Sequence, residues 1–250
     1  MPSMFRGLLR LTWLETIIFV REPLGVFGSI GVPVIVFAVL ARVFGPPAGG
    51  GAPVVRRAAE DLPILGSLLI VASALLSLVT IVAIYREGGI LRRLRATPLR
   101  PQTILAAHVL VKLLSTAVTL ALMILAGRRF YPVEGVPLGS YMLALLFTTV
   151  TVVSLGFVIA SVVPTARFAQ PVGAVIVYPM LGLSGLFVPI ESLPPVARAV
   201  SHVVPFRYAV SLLGGIWQGE GWMAHLGDVA VLLLMFATFT AISARVFRWE

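Results

Sequence analysis

The chain has no cysteine, a single lysine (Lys112), and charge on only 12% of its residues. Without cysteine there are no disulfides, no thiolate metal ligands and no cysteine nucleophile. A soluble domain carries roughly 25% charged residues. The scarcity of charge here, with 59% hydrophobic residues and a mean hydropathy of +1.03, excludes an ordinary soluble globule and indicates an integral membrane protein. Catalytic chemistry is equally thin. Lys112 follows Val111, so no G-x-x-x-x-G-K-[ST] loop exists to hold ATP phosphates. No serine occupies a G-x-S-x-G elbow. His108, His202 and His225 fall on separate segments without ligand spacing, so neither a metal site nor a catalytic residue is assigned. No aspartate or glutamate lies inside an apolar run, Glu191 and Asp228 being at edges. That disfavours a proton-driven carrier and leaves a membrane enzyme without an acid/base pair.

What is present is apolar length, interrupted by arginine. Uncharged or nearly uncharged runs at about 24–44, 62–84, 104–127, 139–163, 171–188 and 227–247 predict six transmembrane helices, since about twenty residues at 1.5 Å each cross a hydrocarbon core. Pro33 and Pro179 lie inside the first and fifth, where a static kink is the commoner outcome and a hinge the alternative. Residues 1–22 predict an interfacial helix, with Arg6, Arg10 and Arg21 grouped on one side and Glu15 and Glu22 opposite. Cleavage of this segment as a signal is not expected, because Arg6, Arg10 and Glu15 interrupt any apolar core. Thr165 to Gln170 reads as a tight turn carrying Arg167. Residues 189–222 contain two pieces of about ten residues, too short to cross and predicted as a re-entrant hairpin with Trp217 and Trp222 at headgroup level. The fold class is therefore all-α integral membrane, in one domain over 1–250.

The densest charge is at Tyr85 to Pro101, with Arg86, Arg92, Arg93, Arg95 and Arg100 against one carboxylate, Glu87. Gly88-Gly89 breaks the incoming helix, Ile90 to Ala96 can form two short turns, and Thr97-Pro98 stops them. Leu91 and Leu94 then share a side, which docks on a partner or floats at the headgroups. Eleven arginines fall on the side of the termini, the 86–101 loop and Arg167, and seven on the other. This predicts both termini inside. Were the Phe206 segment to cross, the C-terminus would be outside. The net charge of +9 belongs to this flanking pattern and to anionic lipid, not to nucleic acid. Lys112 lies two turns inside the third span, where snorkelling to the interface outweighs a place on a substrate path. Pairs of small residues four apart, Ser73 with Ser77 and Gly156 with Ala160, suit close helix contacts within the chain.

Four stretches in this order resemble the membrane subunits of type-2 ABC exporters, including the actinobacterial antibiotic-resistance, daunorubicin-type permeases. Arg86 to Leu99 is similar to that family's E-x-E-x-G-T-L-x-x-L-x-x-T-P-L. Ser184 to Pro194 is similar to S-G-x-F-x-P-x-x-x-L-P, Ser201 to Tyr208 to I-S-x-x-x-P-x-x-Y, and Arg21-Glu22-Pro23 to the lead-in of the first span. Tyr85 stands at the family's first acidic position and Ile90 replaces its usual threonine. The resemblance implies a permease half that works with a second permease subunit, expected to be an identical copy, and two cytoplasmic ATPase subunits that bind ATP and Mg²⁺. It implies a cytoplasmic coupling helix using Glu87, Gly88, Leu91, Arg92, Leu94, Arg95 and Pro98 against the ATPase. It implies an outer re-entrant gate of Gly185, Phe187, Pro189, Pro194, Pro205, Phe206 and Tyr208, with Lys112 and Pro179 as substrate-path candidates. The cargo it suggests is an amphipathic drug, antibiotic or lipid-like molecule exported across the cell membrane. The competing reading is a structural or assembly protein with no ATPase, in which the arginine loop only sets topology.

Overall fold

The computed structural model describes residues 2–44, 61–89, 101–127 and 135–246. These are mainly helical, with no strand among them. In chain order they form α1 (Pro2–Arg21), α2 (Pro23–Val26), a π-helical turn (Phe27–Gly31), α3 (Val32–Phe44), α4 (Leu62–Glu87), α5 (Pro101–Gly127), α6 (Leu138–Val162) and α7 (Ala166–Gly182). A 3₁₀ turn (Ile190–Ser192), α8 (Pro195–Ser201), α9 (Pro205–Trp217), a second 3₁₀ turn (Trp222–His225) and α10 (Leu226–Val246) complete them. Five segments are long and apolar enough to cross a membrane: Pro23–Val43, Leu62–Glu87, Thr103–Gly127, Leu138–Val162 and Trp222–Val246. Taken together, α8 and α9 would make a sixth, but they are bent by 74° at their junction. The protein is an all-α integral membrane protein.

Helix α4 is apolar all round, and such a helix belongs in the centre of a bundle. It packs against α3, α5, α6, α7 and α9. Its hydroxyls do not need outside partners to enter the core, because Ser67 and Thr80 donate to the Pro63 and Leu76 carbonyls one turn back, each at 2.9 Å. Close approach depends on two small positions. A Cβ at Gly156 of α6 would lie 3.3 Å from Leu78, and one at Gly173 of α7 would lie 2.8 Å from Leu76. The Gly156–Ala160 pair thus packs within the chain, Ala160 being fully buried.

The proline in the first span has an identifiable consequence. Pro33 lacks the N–H that would bond the Ser29 carbonyl, and the backbone just before it widens into the π turn, where Val32 N–H donates to Phe27. The hydroxyl of Ser73 on α4 points at the freed Ser29 carbonyl at 3.3 Å while also donating to Ile70 at 2.9 Å.

Two boundaries differ from the sequence reading. Thr165–Gln170 is not a turn, since helix α7 already begins at Ala166, and α7 ends at Gly182 instead of extending to 188. Its start depends on a distant carboxylate described below. Its end is followed by irregular chain through Gly185, whose φ of +90° favours glycine.

The two ends of the bundle are also defined. Leu8 of α1, Leu105 of α5, Phe157 of α6 and Ala244 of α10 line one apolar cavity of about 590 Å³. The N-terminal helix, the start of α5, the end of α6 and the end of α10 therefore share one end, here the proximal end. At the distal end Tyr141, near the start of α6, meets Trp217 at the end of α9 with ring centroids 5.1 Å apart.

Candidate functional site

The end of α4 leads directly into the arginine-rich segment, and it carries the most connected polar group among the described residues. Gly88 closes the helix and Gly89 follows with φ +61°. Just inside the break, Arg86 and Glu87 project about 100° apart on the helix. The Arg86 guanidinium donates to the carbonyls of Ala160 and Ser161 at 3.0 Å each, to Pro164 at 3.3 Å, and to Val163. These oxygens belong to the last turn and exit of α6, where helix carbonyls have no partner of their own. The Glu87 carboxylate accepts the backbone N–H of Ala166 at 2.7 Å, the first residue of α7. The Thr165 side chain does not cap this helix, so a side chain from another helix does. The cation sits at the negative end of one helix dipole and the anion at the positive end of the next, the favourable sense for both.

A second polar group lies between α1, α4 and α5. Tyr85 donates to Glu15 at 3.2 Å, and its ring meets His108 edge-on at 5.0 Å. His108 Nε2 is 3.6 Å from the same carboxylate, is buried and makes no hydrogen bond. Burial raises the Glu15 carboxyl above the ordinary range; the Tyr85 hydrogen bond lowers it, and the charge of Glu22 raises it again. One turn along α5, Lys112 is 5% exposed, donates to Ser77 at 2.6 Å and lies 4.7 Å from the centre of the Phe19 ring. The expectation of a snorkelling lysine is thereby corrected. The stem turns inward because a hydroxyl and an aromatic face await the ammonium there, and the amine does not line the apolar cavity either. Glu15, on the side of α1 opposite the arginines, faces α4 and α5, while Leu9, Trp13 and Ile18 are exposed.

The residues expected at an outer gate fall into two sets. Phe187, Pro189 and Pro194 are exposed, whereas Pro205 and Phe206 are buried, Phe206 completely. Tyr208 closes the corner between α8 and α9 by donating to the His202 carbonyl at 2.9 Å. Gly185 packs against Ile190. Pro179 is exposed on α7 beside Tyr178. Leu91, Arg92, Leu94, Arg95 and Pro98 lie outside the described residues. Arg86 was not among the expected site residues, although its place in the last turn before Gly-Gly is the usual one for a capping cation.

The family described as ABC-2 type transporter has a model that matches residues 6–216, from α1 through α9. No curated protein matches the chain.

Proposed function

The chain belongs to the ABC-2 type transporter family, as a membrane permease whose ATP hydrolysis is performed by a separate subunit, and from that premise we propose that it is one half of an exporter. Two copies of this chain pair in the cell membrane with two cytoplasmic ATPase subunits, and both termini face the cytoplasm. ATP and Mg²⁺ bind to the ATPase. The segment beyond the Gly88-Gly89 break, Ile90 to Pro98, forms the coupling helix, with Leu91 and Leu94 in a groove of the ATPase and Arg92 and Arg95 at its rim. The cargo is an amphipathic drug, antibiotic or lipid-like molecule that passes a cavity between the two permeases, with Pro179 on its wall. Lys112 is withdrawn from that path because its amine is engaged inside the subunit. The exposed Phe187, Pro189 and Pro194, with the corner made by Pro205, Phe206 and Tyr208, form the outer gate.

The observation that carries this reading is the family match over 6–216. The purely structural alternative has no comparable support. Replacing both Leu91 and Leu94 by Asp tests the docking role. The ATPase is expected to be lost on co-purification while the permease still elutes as a folded species. Undiminished complex would overturn the assignment.

A further inference from the structure

The coupling segment leaves the membrane from α4, yet the side chains just before it do not hold α4 alone. We propose that Arg86 and Glu87 are positioning residues that make the turn between α6 and α7 move with the end of α4, so that nucleotide-driven motion enters three helices at one place. The inference rests on the reading of the chain as an ATP-driven permease and extends it to residues 163–166.

The geometry supports this in three ways. First, the contacts are consecutive in sequence and opposite in charge, so one short stretch of α4 holds the exit of α6 and the start of α7 together. Second, each contact satisfies backbone groups that a helix end leaves open. The turn cannot slide away from α4 without stranding the α6 carbonyls and the Ala166 N–H, and a guanidinium spread over several carbonyls resists rotation as well as separation. Third, Gly88-Gly89 lies immediately beyond, with Gly89 at φ +61°. Arg86 and Glu87 are the last residues of α4 before that break, so motion of the following segment reaches α4 through them first. Glu87, expected on the ATPase surface, has its carboxylate on the chain's own α7 instead.

Since the chain has no cysteine, two can be introduced alone, one on exposed Leu125 of α5 and one on exposed Val175 of α7. Spin labels at these sites, in the complex with its ATPase in lipid, report the α5–α7 distance with and without ATP and vanadate. In the otherwise unaltered permease the distance distribution is expected to shift on trapping. In Glu87→Ala and Arg86→Gln the ATPase still co-purifies and hydrolyses ATP, but the shifted population falls about tenfold, the factor supplied by one charge-assisted hydrogen bond. Glu87→Gln, whose amide oxygen can still accept the Ala166 N–H, falls between the two. A further variant, Glu87→Cys with Ala166→Cys and no label cysteines, replaces the contact covalently when bridged by a short bis-maleimide. Its ATP hydrolysis responds weakly to transported compounds before bridging and normally after it. An unchanged distance shift in Glu87→Ala and Arg86→Gln would overturn the proposal, as would inhibition on bridging. Failure of the unaltered permease to bind an ATPase would instead defeat the underlying reading, and the clamp with it.

Discussion

Glu15 shows how one side chain can make a helix docking depend on pH. Its carboxyl is raised above the usual range chiefly by burial, against the pull of the Tyr85 hydrogen bond. A group with a raised folded-state pKa contributes most stability below its unfolded value and loses it as pH rises through the folded value. Docking of α1 on α4 and α5 is therefore expected to weaken as pH climbs through that interval. The groups that face Glu15 are Tyr85 and His108, with Glu22 and Lys112 nearby. Glu15→Gln retains an oxygen for the Tyr85 hydroxyl and cannot ionise. Its thermal unfolding in detergent should be flat over the interval in which the unaltered protein loses stability. Equal slopes in both proteins would show that Glu15 does not carry the effect. None of this was legible in the sequence, where Glu15 reads only as a blemish on an amphipathic helix. The partner that draws it inward is 70 residues away.

At the scale of elements, apolar length was readable and boundaries were not. The run 62–84 reads as a span by its apolar length, and the structure gives Leu62–Glu87. The start of α7 could not be placed from its own neighbourhood, because its first N–H is capped by a carboxylate 79 positions earlier. Pro33 was readable as a defect, but its repair was not. Ser73 was noted for its small size, whereas its hydroxyl also faces the carbonyl that Pro33 strands. Each change alone has a defined direction. Ser73→Ala should destabilise by about 1 kcal/mol, the usual net worth of such a bond. Pro33→Ala restores an N–H able to bond Ser29, and in that background Ser73→Ala should cost markedly less. A double-mutant cycle read by thermal unfolding measures the difference. Additive effects would show that the 3.3 Å contact contributes nothing.

For the molecule as a whole, the count of crossings decides what the arginines mean. The sequence left open whether the Phe206 segment crosses. In the structure the end of α10 shares a cavity with α1, the start of α5 and the end of α6. The start of α7 is bonded to the end of α4, which lies at that same proximal end, and α7 runs away from it. The end of α9 reaches the distal end, where Trp217 meets Tyr141. The proposal of cytoplasmic termini takes the crossings as even and the side with eleven arginines, against seven, as the inside. Single cysteines in this cysteine-free chain test it. Glu220→Cys, at a half-exposed distal turn, should react with a membrane-impermeant maleimide on intact cells. Arg167→Cys, exposed at the proximal start of α7, should react only after permeabilisation. The reverse pattern would place Arg86 and Glu87 on the outer face, beyond the reach of any cytoplasmic ATPase. In that case the clamp would still hold the α6–α7 turn, but nothing on its side of the membrane could drive it.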